Sequence, residues 1–409
     1  MYINSKTFFV YFLLLLNCFH ASSQNTWAQK SNFASFERDD AVGFSVNGKG
    51  YLGTGFAVGF SLKKDFWQYD PVLDAWTQVA DFGGSPRQYS TAFAIAQKGY
   101  VFGGIDATII QNDLWEYDAV ANLWISKSSL PAAGRFAATG FAINNFGYVC
   151  CGVNSTNYFN ELWAYDAVLD SWSIKIDFPG MKRRSPVACT INQKGYVGTG
   201  RDTMNQFYND WYAYDPTTDS WTQKNNFTGT PRYDANGYSV FQKGFITAGM
   251  GAMNEYKNDL WEYDPLADTW TQRTSMPTVS RKGATGFVIG YNLYVGTGID
   301  SSNSRLNDFW EYAVDSSTGI LGFEFWISNF TVYPNPAKEF TVCSQQFTVD
   351  KKINLCVTDV DGRKIIFRQL ETVNRKLETK MDVSCLKVGL YFITVKGKGF
   401  SATYKFFKY

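Results

Sequence analysis

Short runs in which apolar and polar residues alternate recur along most of the chain; one is Ala138-Thr139-Gly140-Phe141-Ala142-Ile143. A period of two puts every second side chain on one face, as in a strand with one buried side. A polar turn ending in Lys-Gly (Lys98-Gly99, Lys194-Gly195, Lys243-Gly244) leads into a Gly-Tyr-Val strand. Glycine at that turn is expected to supply the positive φ of a hairpin. A third strand, such as Leu114-Trp115-Glu116-Tyr117, is entered through Asn112-Asp113, and a fourth holds a second tryptophan, as in Thr269-Trp270-Thr271-Gln272. Between these two lie Tyr-Asp-Pro and a further Asp (Asp215-Pro216 to Asp219, Asp264-Pro265 to Asp268). This is turn chemistry: Asp caps backbone N–H groups and Pro fixes φ.

The pattern repeats. Trp67, Trp115, Trp163, Trp211, Trp261 and Trp310 form one series, with steps of 48, 48, 48, 50 and 49. Trp27, Trp76, Trp124, Trp172, Trp221 and Trp270 form a second, with steps of 49, 48, 48, 49 and 49. Arg38, Arg87, Arg135, Arg184, Arg232 and Arg281 keep the same beat, as do glycine-rich stretches ending at Gly55, Gly104, Gly152, Gly200, Gly249 and Gly298. Four antiparallel strands in a period of roughly 48 residues read as a propeller blade. In a full unit the second Trp follows the Tyr of Tyr-Asp by seven residues, but seven from Tyr312 is Gly319, so the sixth unit lacks its fourth strand. The N-terminus has a spare one, Trp27-Ala28-Gln29-Lys30. The expectation is an all-β, six-bladed β-propeller over residues 24–315, closed by an N-terminal strand and held together by buried second-series tryptophans.

Lys6, the apolar run Phe8–Leu16 and the small residues Ala21, Ser22 and Ser23 read as a secretory signal over residues 1–23. The run is too short to span a bilayer, and no later segment reaches about 18 uninterrupted apolar residues. Cys18 follows Asn17, a poor match to a lipobox. The one histidine, His20, falls inside the signal, so the mature chain would have no imidazole for catalysis or metal binding. The whole chain balances 38 Lys and Arg against 37 Asp and Glu, which lacks the cationic footprint of a nucleic-acid binder. The balance is uneven along the chain: residues 24–328 have 23 against 30, and residues 329–409 have 14 against 7.

The repeated set resembles the kelch motif: small residues after a Gly-Tyr strand, a Tyr-Asp, then Trp at fixed spacing. Only Gly103-Gly104 is the usual glycine pair; elsewhere Gly-Thr-Gly, Ala248-Gly249 or Cys151-Gly152 stands there. The full pattern looks like the kelch, galactose-oxidase-type repeat proteins exported by Bacteroidota. The last residues differ. Tyr333-Pro334-Asn335-Pro336, the strand–turn–strand Val357–Ile365 around Asp361-Gly362, and the final Gly389-Leu390-Tyr391 strand resemble the type A sorting domain of the type IX secretion system. That resemblance implies a small β-sandwich over residues 330–409, following a linker at 316–329. It also implies a partner in the secretion machinery, and release or display at the outer surface after periplasmic transit.

Candidate chemistry is sparse. In a blade of this order the 4–1 and 2–3 loops share one face, so the six arginines are expected to ring a channel mouth, where guanidiniums could grip carboxylates. They could instead satisfy carbonyls or a neighbour's acid between blades, and because all six units keep the arginine this structural role fits better. The 2–3 loops vary, and Tyr158, Phe207 and Tyr208 are candidate contacts beside the arginines. No catalytic residue, metal site or cofactor is assigned. Asp359–Gly362 lacks the twelfth-position Glu of a calcium loop, since Leu370 stands there. Cys150 and Cys151 read as small strand residues, and Cys343, Cys356 and Cys385 are an odd set in the tail. The expectation is a non-catalytic binding or scaffold module for an unknown protein or glycan. The alternatives are a mutarotase-like propeller enzyme working without metal or histidine, and a structural envelope protein. Copper oxidase chemistry is excluded by the missing histidines. An asymmetric cluster of acid and base at one mouth would favour the enzyme.

Overall fold

The computed structural model describes residues 25–315 and, beyond them, strands and adjoining residues between 331 and 408. The expected signal, the linker and Pro334–Ala337 lie outside the described residues. The chain divides into two compact units, Met1–Asp315 and Ser316–Tyr409.

The first unit contains six four-stranded antiparallel sheets, one per sequence repeat. The third is built from Thr139–Ile143, Phe146–Cys150, Leu162–Asp166 and Ser171–Lys175. Its first strand alternates as the sequence does, with Phe141 and Ile143 buried. Its second is buried along nearly its whole length. The glycine of Gly-Tyr-Val differs from expectation. It sits inside the second strand, and the positive φ of the hairpin falls on residues before it, such as Ala96 (51°) and Asn144 (54°). The glycine is there for close approach: a Cβ on Gly147 would lie 2.1 Å from the Phe93 ring of the preceding sheet, and one on Gly99 would lie 2.1 Å from Phe44.

The N-terminal strand Thr26–Lys30 pairs antiparallel with Phe309–Ala313 and completes the sheet of Thr285–Ile289 and Asn292–Gly296. The turn before it is reproduced as well. In the other sheets a left-handed Asp or Asn (Asp74, Asn122, Asp170, Asp219, Asp268) accepts the hydroxyl of the Tyr five residues earlier at 2.6–2.8 Å. Asn25, at φ 58°, accepts the Tyr312 hydroxyl across the chain's ends at 3.2 Å.

Two cycles of hydrogen bonds link neighbouring sheets. The last glycine of each glycine-rich stretch donates its N–H to the arginine carbonyl of the next sheet, from Gly55 to Arg87 (2.7 Å) through to Gly298 and Arg38 (2.8 Å). Farther out, each second-series indole N–H donates to a carbonyl of the preceding sheet: Trp76 to Ser31, Trp124 to Ala80, Trp172 to Ser128, Trp221 to Ile176, Trp270 to Asn225, and Trp27 to Thr274. These tryptophans are half-buried rather than fully buried, because the fourth strand is the outer edge of its sheet. Trp172 also packs on Phe102 of the preceding sheet, centroids 5.5 Å apart. Trp172→Ala is expected to cost about 3 kcal/mol, the low end for a large aromatic. An unchanged melting temperature would show that the indole contributes nothing between sheets.

Trp211 is out of register with its series. The spacing places Tyr212 opposite the other tryptophans, and Trp211 fills the fully buried position held elsewhere by Leu or Phe. Its indole nitrogen has no hydrogen-bond partner there.

The second unit has two antiparallel sheets. One comprises Thr331–Tyr333, Glu339–Ser344 and Leu377–Asp382; the other comprises Lys364–Glu371, Lys352–Thr358, Gly389–Gly397 and Phe400–Lys408. Asp359 accepts the Arg363 N–H at 2.9 Å; residues 360–362, where the sequence predicts a turn, lie outside the described residues. Among the described residues no helix is long and apolar enough to cross a membrane.

Candidate functional site

Arg38, Arg87, Arg135, Arg183, Arg232 and Arg281 are at most 1% exposed. Each Nη1 donates to a carbonyl of its own glycine-rich stretch, from Thr54 O at 2.9 Å to Thr297 O at 3.0 Å. Each also pairs with the acid that opens the third strand: Asp65, Asp113, Glu161, Asp210, Asp259 or Asp308. Five pairs are bidentate, as in Arg38 with both Asp65 oxygens at 2.8 and 2.9 Å. The longer Glu161 meets Arg135 through Nη2 alone. Five of the six first-series indoles, all but Trp211, donate to the same carboxylates, as Trp67 does to Asp65 at 2.8 Å. These guanidiniums are enclosed and tie the 4–1 loop to the 2–3 loop; of the six, only Arg135 keeps a buried Nε without a partner.

Arg184 is not one of them. The fourth member is Arg183, bonded to Asp210; steps of 48 or 49 residues fit either arginine, and the Asp210 pair decides. The adjacent pair Arg183-Arg184 hid the register. Tyr208 belongs to this scaffold too: its ring lies under Arg183 (4.2 Å) and its hydroxyl donates to Asp202 at 2.7 Å.

Burial raises the Asp65 carboxyl, but the Arg38 hydrogen bonds and charge outweigh it and hold the group at about 2. Asp259, Asp308 and Glu161 are also held below the usual carboxylate range, burial again being overcome by their neighbours. A depressed acid stabilises the fold above its unfolded range, near 4, and loses that contribution as pH falls through its folded value. The melting temperature should therefore fall steeply between about pH 4 and pH 2. A flat profile down to pH 2 would contradict these pairs.

Symmetry breaks in the next two residues. The second after each arginine (Asp40, Tyr89, Ala137, Ser185, Asp234, Gly283) has φ between 49° and 57°. Their backbones join hand to hand: Tyr89 N–H to Asp40 O, Ala137 to Tyr89, Ser185 to Ala137, Gly283 to Asp234, and Asp40 to Gly283, at 2.7–3.2 Å. With the first strands of all six sheets this collar lines a cavity of about 190 Å³. Gly283 suits its place, since a Cβ there would come within 2.5 Å of Asp40 Oδ1.

The collar and the residue before each member gather unlike groups. Arg184 lies over the rings of Tyr89 (5.1 Å), Phe136 (5.5 Å) and Tyr233 (6.0 Å). Arg201, its antiparallel bridge partner, lies over Tyr233 (4.5 Å) and Phe207 (6.0 Å). Lys282 stands 5.4 Å from the same Tyr233 ring and 3.8 Å from Asp234 Oδ2. Burial, with the charges of Asp39 and Asp234, pushes the Asp40 carboxyl well up despite Lys282 and the Tyr89 hydrogen bond. The Asp40 charge and burial push the Tyr89 phenol up in turn. Asp39 is itself paired with Arg305 at 2.7 Å. Of the aromatics chosen from sequence, Phe207 joins this cluster, edge-on to Tyr233 at 5.6 Å. Tyr158 bridges Val153 and lies within electrostatic reach of Arg184. Asp40, Tyr89, Arg201, Tyr233, Asp234 and Lys282 were missed. Their signal was positional: they stand where six otherwise matching units differ. Among the described residues no group of three or more acids, cysteines or histidines is placed to hold a metal ion.

The secretion system C-terminal sorting domain family matches residues 331–408. That domain marks proteins exported by type IX secretion, to the cell surface or beyond it. No curated protein matches the chain in sequence. Among solved structures the chain is similar to YjhT, at 16% identity and a TM-score of 0.57, over 68% of this chain and 95% of that one. The propeller-like fold of the repeat region is shared with that protein; at such identity the likeness extends to fold alone.

Proposed function

We propose that the chain is a kelch-type propeller of six blades, closed by its N-terminal strand and exported through a type A sorting domain. Its role is to bind a protein or glycan at the mouth of the central channel. The observation that carries the reading is the contrast between two adjacent rings. The register arginines are identical and paired with an acid in every repeat, whereas the residues directly after them differ and concentrate charge and aromatic rings on one side of a cavity. Binding surfaces depart from symmetry in this way, and rigid aromatics with Arg are favoured in them. A protein and glycan screen on the mature chain tests it, followed by paired variants. Arg184→Ala with Lys282→Ala should abolish capture; Lys98→Ala with Lys194→Ala, at the hairpin turns between first and second strands, should not. Loss of capture in the second pair alone would place the site on the other face.

The cluster also favours a second reading, a mutarotase-like enzyme. An acid whose pKa burial raises, beside a tyrosine and a lysine, is the arrangement general acid–base catalysis uses. Accelerated interconversion of freshly dissolved sugar anomers, lost in Asp40→Asn, would establish it; uncatalysed rates would remove it.

A further inference from the structure

The two guanidiniums at the rim are unlike every register arginine. Among the described residues neither Arg184 nor Arg201 has a carboxylate within 4 Å, and neither side chain makes a hydrogen bond. Both Nε atoms are buried and without a partner, as is that of Arg135, but the Nη atoms of Arg135 hold the Cys151 carbonyl and Glu161, whereas those of Arg184 and Arg201 hold nothing among the described residues. The two residues face each other across an antiparallel bridge, so both planar forks rise from one place on the rim. Their flat faces are taken by Tyr89, Phe136, Tyr233 and Phe207, which leaves their N–H edges as the free part. A buried N–H donor of a cation without an acceptor is costly, and such a group is retained where a ligand supplies the acceptor. Further buried atoms without a hydrogen-bond partner line the collar and the strand below it: Asp234 Oδ2, whose charged neighbour Lys282 lies 3.8 Å away, Asn236 Oδ1 and the Tyr238 hydroxyl. The Asp234 side chain is only 5% exposed. These are acceptors, and one hydroxyl that can serve either way, on residues that line the cavity; Ser185, next to Arg184, lines it too.

We infer that the rim is a receptor for the carboxylate of a small organic acid, gripped by Arg184 and Arg201, with the acid's polar body turned into the cavity toward Asp234, Asn236 and Tyr238. This rests on the proposed binding role of the mouth and names the chemistry that the mouth reads. A carboxylate offers two coplanar acceptors, which match the guanidinium fork. The neighbouring cation Lys282 lies 3.8 Å from Asp234 and donates to the Tyr233 hydroxyl, whereas among the described residues Arg184 and Arg201, although Arg184 feels the charges of Asp234 and Asp40, have no such direct contact. The cavity of about 190 Å³ is of a size to take a small acid, free or as the acidic end of a larger partner seated on the mouth.

The test is calorimetric titration of the full mature chain with acetate, succinate and citrate, with succinamide as the uncharged counterpart of succinate and with inorganic sulfate. Saturable binding of at least one carboxylate is expected, with succinamide and sulfate at least tenfold weaker. Arg184→Ala and Arg201→Ala should each weaken that binding by about tenfold or more, as loss of a charge-assisted pair does. Arg184→Lys should recover only part of it, because an ammonium lacks the fork. Lys98→Ala should change nothing, and circular dichroism melting confirms that each variant is folded. Absence of saturable binding by any acid overturns the inference, as does sulfate binding equally well or carboxylate binding that survives both alanine variants. If the mouth captures a partner in the screen while every acid fails here, the carboxylate assignment falls and the binding role stands.

Discussion

Arg232→Ala is expected to destabilise the repeat region by about 3–5 kcal/mol, the cost of leaving one half of a buried ion pair without the other. The Arg232 guanidinium is wholly buried and bonded to the carbonyl of Ala248 and to both oxygens of Asp259. Removing it strands the Asp259 carboxylate, whose remaining side-chain bond is the Trp261 indole N–H. It also unties the 4–1 loop from the 2–3 loop at the collar. The effect should be much smaller in Arg232→Ala with Asp259→Ala, because no lone charge then remains. Thermal melting of the two variants reads this directly. Equal destabilisation would mean that the pair's worth lies in packing and not in charge.

Deleting residues 25–32 should do comparable or greater harm. The deletion takes away a whole edge strand, paired over Thr26–Lys30, together with the Asn25 cap on Tyr312 and the Trp27 bond to Thr274. With about five ladder bonds at ~1 kcal/mol each, the loss is on the order of 5 kcal/mol. Its second consequence is an unpaired edge along Phe309–Ala313, a template for aggregation. The deleted protein should melt lower by about 10 °C or more and run as oligomers by light scattering. A monomer with wild-type melting would mean that the sixth sheet does not depend on the N-terminal strand.

Much of this was legible in the chain because repetition makes one unit annotate another. The strand pattern, the missing fourth strand of the sixth repeat and its replacement at Thr26–Lys30 could all be read by counting. Counting failed where two like residues stood side by side. Arg183-Arg184 and Trp211-Tyr212 each offered two fits to one period, and only the partners, Asp210 for Arg183 and the buried core for Trp211, decide between them. The role of glycine in Gly-Tyr-Val was misread for another reason. The ring it accommodates, such as Phe93 against Gly147, belongs to the preceding repeat, some fifty residues away, where no local turn rule looks. The rim cluster was hidden by the same repetition: what repeats drew attention to the arginines, and the chemistry lies in the neighbours that do not repeat.

The most direct measurement compares two double variants of the full mature chain, Arg135→Ala with Arg232→Ala and Arg184→Ala with Arg201→Ala. Melting temperature and affinity for the partner or acid recovered in the screens are measured on the same samples. The first pair should melt far lower, while its folded fraction binds as the wild type does. The second should melt within a few degrees of wild type and lose binding by at least tenfold, the two charge-assisted contacts being gone. The reverse outcome, with binding lost only when the buried register arginines are removed and the rim pair dispensable, would contradict the division between a scaffold ring and a recognition ring.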